Sequence, residues 1–129
     1  MSFHALIVDD NRANVDALER ALLLEGIEPS SVTTKDALYQ AIESAEQIDV
    51  VFLDLNFGTV NGLDLIKELK NEPRFVPIPF VAYTVLLGEQ KHALEAGFHS
   101  FLGKPLNLAN FPGQIRRILN GERVWELNQ

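Results

Sequence analysis

Short apolar runs alternate with amphipathic stretches along this chain. The runs are rich in branched and aromatic residues and lie at residues 5–8, 50–53, 80–83 and, more briefly, 101–102. Such runs predict strands that are buried on both faces. Between them, apolar residues recur at helical spacing, which predicts helices with one buried stripe. The stripes contain Val15, Leu18 and Leu22; Ala37, Leu38, Ala41, Ile42 and Ala45; Leu63, Ile66 and Leu69; and Leu108, Phe111, Ile115, Ile118 and Leu119.

Two segments are less regular. Residues 29–33 form a poor strand by composition and begin with a proline, so we place this strand at an edge of the sheet. For the last helix the sequence leaves two starts open. Either Asn110 caps it and Pro112 lies harmlessly in the first turn, or Asn107 caps it and the helix bends at Pro112.

The alternation predicts an α/β domain of the (βα)₅ type, with a parallel sheet, helices on both faces and right-handed crossovers. The 129 residues, 47% of them hydrophobic, suffice for one domain with a real core. We assign residues 1–122 to this domain and 123–129 to a C-terminal tail. Trp125 either packs back on the domain or leads out of it, and the sequence does not decide between the two.

Charge and cysteine content exclude several classes of function. The formal net charge of −7 argues against direct nucleic-acid binding, because such binding depends largely on Lys and Arg. The absence of cysteine excludes disulfide scaffolds and thiolate metal sites. No secretory signal is visible at the N-terminus, and the apolar stretch 75–87 is too short to span a bilayer. We therefore expect a cytoplasmic protein without membrane contact.

Polar side chains come directly after the predicted strands at one end. Asp9 and Asp10 follow the first apolar run, Asp54 the third strand, Thr84 the fourth and Lys104 the fifth. In such sheets, ligands bind beyond the carboxyl ends of the strands. Carboxylates that meet there repel one another unless a cation lies among them, and oxygen ligands favour Mg²⁺ or Mn²⁺. A metal, an amine and a hydroxyl together describe a phosphoryl-binding site.

Four pieces of sequence carry a family resemblance. They are residues 6–10, residues 51–55 with Gly62 eight positions after Asp54, residues 81–84, and residues 96–105 with Lys104-Pro105 at their end. In this order they resemble a receiver domain of the bacterial two-component response regulators, over nearly the whole chain. The resemblance implies a flavodoxin-like, doubly wound sheet of five parallel strands in the order 2-1-3-4-5.

The resemblance also implies a role for each carboxylate. Asp54 would be phosphorylated by a phosphohistidine on a sensor histidine kinase or a histidine phosphotransfer protein. Mg²⁺ would be bound by Asp54, by Asp10 directly, by Asp9 mainly through water and by the backbone carbonyl of Asn56. The chain would then be a signalling protein that assists its own phosphorylation and dephosphorylation, and not an enzyme in the usual sense.

The remaining implied roles concern the switch. Lys104 would contact the phosphoryl oxygens and Thr84 would move inward to bond one of them. Phe101 would turn inward as well, remodelling the face of the fourth helix, fifth strand and fifth helix for a downstream protein target. Pro105 would form a structural turn, often with a cis peptide bond. Leu86, two residues beyond Thr84, can neither orient nor activate a water, which predicts a phosphoryl group that lives longer than in regulators with Glu or Gln at this position.

Several alternatives stay open. Asp9 and Asp10 could simply cap the first helix. The chain could be a degenerate receiver that binds partners without phosphorylation, or an Mg²⁺-dependent aspartyl-phosphate hydrolase, although Asn56 occupies the place of the second carboxylate that such hydrolases need. The last helix carries Arg116 and Arg117. In many receivers this helix forms a homodimer, whereas two adjacent arginines more often lie on a solvated face.

Overall fold

The computed structural model describes residues 3–44 and 47–126. The strands of the main sheet are β1 (Phe3–Val8), β2 (Ile27–Val32), β3 (Val50–Leu53), β6 (Phe80–Thr84), β7 (Ser100–Gly103) and β8 (Trp125–Glu126). Within the described residues, these six strands run parallel in the order β2-β1-β3-β6-β7-β8. Between β3 and β6, β4 (Asn56–Phe57) and β5 (Val60–Asn61) form a separate antiparallel hairpin.

Helices cover both faces of the sheet. They are α1 (Arg12–Leu24), α2 (Lys35–Ser44), α3 (Gly62–Leu69), α4 (Gln90–Ala96) and α5 (Phe111–Leu119), with short 3₁₀ turns at Pro73–Phe75 and Leu87–Glu89. Successive strand residues point to opposite faces, so the sheet divides the core in two. One half packs against α2, α3 and α4, and the other against α1 and α5. The first half includes Leu6, Val51 and Ala82, and the second Ile7, Phe52 and Val81.

The predicted fold is confirmed. The first five strands of the sheet stand in the expected order, because β6 and β7 are the fourth and fifth long strands of the chain. The poor strand β2 lies at the sheet edge, as its proline predicts. Helix α5 begins at Phe111, with Pro112 in its first turn, so the helix does not bend there. Asn107 instead accepts hydrogen bonds from the N–H groups of Ala109 and Asn110 in the turn before it.

The C-terminal segment adds a strand that the sequence pattern does not reveal. Residues 125–126, within the segment assigned to a tail, pair with β7, and Trp125 packs back on the domain. Residues 127–129 of that segment lie outside the described residues. In the part of the chain that is described, no helix has the length and apolar character needed to cross a membrane.

Candidate functional site

The parallel strands bring the predicted site residues together at the carboxyl end of the sheet, which forms the rim of the domain. Val8 is in register with Leu53, and Leu53 with Ala82. The residues that come after these strands therefore meet at the carboxyl end of the sheet. Asp9 follows β1, Asp54 follows β3, Thr84 ends β6 and Lys104 follows β7.

Lys104 lies between two of the carboxylates. Its Nζ donates to Asp9 Oδ2 at 2.6 Å and to Asp54 Oδ2 at 3.1 Å. All three side chains are buried, with Asp9 only 1% exposed. Buried charges need a partner of opposite sign, and here one ammonium group serves two carboxylates. Asp9 also accepts a hydrogen bond from the N–H of Asn11 at 2.9 Å.

Asp54 keeps limited access to solvent. The residue is 9% exposed and follows four fully buried residues of β3. Its Oδ1 accepts the N–H of Asn56 at 3.3 Å, and its own N–H donates to the carbonyl of Val8 at 3.1 Å. The carboxylate is therefore held in position at the rim while part of it stays reachable from outside.

Asp10 lies at the same rim with a different partner. Its side chain is exposed and Oδ2 accepts the N–H of Gly58, in the turn between β4 and β5, at 2.7 Å. Neither Asp9 nor Asp10 caps α1, because Asn11 is the N-cap and accepts the N–H of Asn14. The capping alternative for the two aspartates is therefore wrong.

The acidic residues fit a divalent cation by chemistry and charge. Asp9, Asp10 and Asp54 carry three negative charges against the single positive charge of Lys104, and the surplus is what a divalent cation neutralises. Carboxylate oxygens are also the ligands that Mg²⁺ prefers. Across residues 3–44 and 47–126, however, no three histidine or acidic side chains stand ready to hold a metal ion. In this arrangement the Asp10 carboxylate is bonded to the Gly58 N–H, while Asp9 and Asp54 share Lys104.

Thr84 is fully buried and connects two loops. Its hydroxyl oxygen accepts the N–H of Leu86 at 3.1 Å, which anchors the start of the loop between β6 and α4. Its carbonyl accepts the N–H of Lys104 at 2.9 Å. A movement of the Thr84 hydroxyl away from Leu86 would therefore release the Leu86 N–H.

Phe101 and Pro105 complete the predicted set. Phe101 is fully buried in the core, and its ring stacks on Trp125 with centroids 5.9 Å apart. The Lys104-Pro105 peptide bond is cis, as the resemblance implies. Asn56 is exposed in β4, directly after Leu55.

Two residues at the site have roles that the sequence pattern does not reveal. The ammonium of Lys104 lies over the ring of Tyr83, 5.0 Å from its centroid. Burial, together with the nearby charges of Asp9 and Asp54, raises the pKa of Tyr83 to about 12. Nothing in an apolar strand run distinguishes Tyr83 from an ordinary core residue, although a tyrosine beside a predicted charge cluster is a weak signal.

Gly62 is the second. It begins α3, and its N–H donates to the carbonyl of Leu55 at 2.8 Å. A β-carbon at this position would overlap the carbonyl oxygen of Asp54 and lie 2.8 Å from Cα of Leu55. Only glycine lets α3 start this close to the backbone of Asp54. The spacing of Gly62 from Asp54 is visible in the sequence, but this reason for it is not.

Comparison with known proteins places these features in a family. A family model described as the response regulator receiver domain matches residues 5–116. The chain is 33% identical to the response regulator PleD of Caulobacter vibrioides, covering 92% of this chain and 26% of PleD. It is 30% identical to the transcriptional regulatory protein PrrA of Mycobacterium leprae, covering 88% of this chain and 48% of PrrA. The chain thus spans about half or less of these relatives.

A solved structure gives the same result for the fold. A CheY-like response regulator receiver domain from Methylobacillus flagellatus superposes with a TM-score of 0.80 at 28% identity. The match covers 92% of this chain and 99% of that one.

Proposed function

The chain belongs to the family of response regulator receiver domains of two-component systems, and we propose that Asp54 is the residue it uses to accept a phosphoryl group. The observation that carries this proposal is the Asp54 carboxylate itself. It is fixed at the end of β3, 3.1 Å from the Lys104 ammonium, and remains partly exposed. Receiver domains of response regulators work with histidine kinases, so the donor is a phosphohistidine on such a kinase or on a phosphotransfer protein.

The transfer is a displacement at phosphorus. An oxygen of Asp54 attacks in line, an acyl phosphate bond forms, and the bond between phosphorus and the histidine nitrogen breaks. Negative charge spreads over three equatorial oxygens, and positioning plus positive charge supplies most of the stabilisation. Lys104 is already at the acceptor carboxylate, so its ammonium can bond an incoming oxygen without a large movement.

The metal belongs to the same proposal. Asp10, Asp54 and the carbonyl of Asn56 would hold Mg²⁺, with Mn²⁺ as a substitute and Asp9 bound through water. When bound, the ion neutralises charge on the carboxylates and on the phosphoryl oxygens. Asp10 Oδ2 accepts the Gly58 N–H, so Oδ1 would be the oxygen that this carboxylate offers to the metal while it holds the β4–β5 hairpin.

The acyl phosphate then acts as a switch. It adds charge and acceptor oxygens next to Asp54, which the Thr84 hydroxyl can donate to. The same hydroxyl oxygen holds the N–H of Leu86 in the resting protein. Movement of Thr84 toward the phosphoryl group therefore frees the loop that leads to α4. We place the output for a downstream protein on the adjoining face of α4, β7 and α5.

Mass spectrometry after incubation with acetyl phosphate and Mg²⁺ tests this proposal. We expect the wild type to gain one phosphoryl group, and we expect chelation of the metal or Asp54→Asn to abolish the gain. Asp64→Asn is the matched control, because Asp64 is an exposed acid on α3 and its loss should leave the modification intact. An unmodified wild type would instead support the degenerate receiver, and rapid turnover of acetyl phosphate would support the hydrolase.

A further inference from the structure

Strand β8 covers the edge of β7. The two strands are parallel, with Phe101 beside Trp125 and Leu102 beside Glu126. The N–H of Phe101 donates to the carbonyl of Val124 at 2.8 Å, and the N–H of Val124 donates to Ser100 Oγ at 2.9 Å. In this chain β7 is therefore an inner strand. The output face proposed above, α4, β7 and α5, is covered along its central strand.

Trp125 links strand β8 to Phe101 and Thr84, the two residues to which the proposed function gives a role in the switch. Its ring stacks on Phe101 at 5.9 Å with an interplanar angle of 23°. Register places Ala82, Phe101 and Trp125 in one row across β6, β7 and β8. Thr84 lies two residues beyond Ala82, so it points to the same face of the sheet. Thr84 and Phe101 therefore lie on the same face of the sheet, and Phe101 contacts the Trp125 indole.

The cover is small compared with the domain. Strand β8 has two residues, comes after exposed residues 120–123, and is reached through Gly121, whose φ of 91° suits a glycine. Val124 is buried in the half of the core that faces α1 and α5, but the strand itself makes few hydrogen bonds, so we expect it to open at a lower free energy than the inner strands. The edge that it leaves is a template for another strand.

We propose that residues 124–126 are a displaceable cover on the β7 edge, and that this edge accepts an extended partner segment with an aromatic side chain in the position of Trp125. The pairing of the chain's own segment shows both the strand direction and the side chain that the edge takes. Displacement of the cover by phosphorylation of Asp54 rests on the proposed function. The docking edge itself does not, and the two are tested separately.

The docking edge is tested with the full chain and a peptide of residues 121–129. In the wild type, β8 belongs to the same chain and competes with the peptide for the β7 edge at an effective concentration of about a millimolar or more. We therefore expect little binding of the peptide to the wild type. In Trp125→Ala we expect the peptide to shift the amide resonances of residues 100–103, and a peptide with alanine in place of tryptophan to have no effect. Equal responses in wild type and variant, or none in either, would overturn the proposal.

Hydrogen exchange supplies a second readout that needs no peptide. Loss of an aromatic stack worth about 0.5–1.5 kcal/mol should speed exchange of the Phe101 amide by up to about tenfold in Trp125→Ala. Trp125→Phe, which keeps a ring, should stay close to wild type. The amide of Val51, bonded to Pro79 in the sheet centre, reports whether the variant remains folded. Unchanged exchange at Phe101 in a folded Trp125→Ala would show that Trp125 does not hold the cover.

The link between phosphorylation and the cover is tested by the fluorescence of Trp125, the one tryptophan in the sequence. After incubation with Mg²⁺ and acetyl phosphate we expect its emission to shift to the red and its quenching by acrylamide to increase, with no change in Asp54→Asn. A phosphorylated Asp54, verified by mass, with an unchanged Trp125 signal would overturn the link. If Asp54 is not modified at all, the proposed function fails, while the peptide titration still decides the docking edge.

Discussion

Gly62→Ala tests whether α3 starts directly against the backbone of Asp54. The added β-carbon would overlap the carbonyl oxygen of Asp54 and approach Cα of Leu55 to 2.8 Å. Both neighbours are backbone atoms, which cannot rotate away as a flexible side chain would. Either α3 or the end of β3 must therefore shift.

The expected magnitude combines two opposing effects. Over-packing costs about 1–3 kcal/mol, and backbone neighbours place this site near the upper end. Alanine within a helix raises the free energy of unfolding by up to about 1 kcal/mol relative to glycine. We therefore expect the free energy of unfolding to fall by about 2 kcal/mol, which lowers Tm by roughly 6–8 °C for a domain of this size.

Urea and thermal unfolding, monitored by circular dichroism, measure this change. Gly113→Ala is the matched control, because Gly113 lies in helix α5 with no atom within 4 Å of its β-carbon position. This control should gain about 0.5–1 kcal/mol. Phosphorylation by acetyl phosphate should slow in Gly62→Ala alone, since only this substitution moves Asp54. A Gly62→Ala protein as stable as wild type would refute the argument from close approach.

Three further predictions concern the rim and the opposite end of the sheet. Lys104→Met should lower the free energy of unfolding by about 3 kcal/mol, because two buried carboxylates lose their shared cation. Urea unfolding measures this change, and a variant as stable as the wild type would contradict the prediction. Leu86→Glu should shorten the half-life of the acyl phosphate, measured by its decay after removal of the donor, and an unchanged half-life would count against a role for this position. Burial lowers the pKa of His99 from its ordinary value of 6.5, so the unfolded chain binds this proton first and stability falls as the pH drops below 6.5. His99→Gln should remove part of that fall in urea midpoints, and midpoints that fall equally in wild type and variant would contradict this.

The rim could be predicted because it depends on the order of the strands and on the residue that comes directly after each strand. Apolar runs mark the strands, parallel strands end at one edge, and the polar residues after them must meet there. Asp9, Asp54 and Lys104 do meet, although only the register of β1, β3, β6 and β7 fixes which carboxylates share the ammonium.

The features that escaped prediction depend on contacts between distant segments. The side chain of Asp10 bonds a backbone N–H 48 residues away in a hairpin that the sequence pattern does not mark. Strand β8 is two residues long, too short for a period-two pattern to show. The position of Tyr83 under Lys104 requires the cation to cross from the neighbouring strand end, which no local pattern encodes.

Under the proposed function, the resting contacts of the rim determine how the domain would respond to one phosphoryl group. Three of the functional side chains are bonded to protein partners in the resting structure. Lys104 bridges two carboxylates, Thr84 holds the N–H of Leu86, and Asp10 holds the N–H of Gly58. The latter two contacts end on loops, so under the proposed function we expect a change at either contact to act on a loop and not on the sheet. Part of the negative charge that argues against nucleic-acid binding is concentrated here, on Asp9, Asp10 and Asp54. This local charge favours the binding of a cation at the rim.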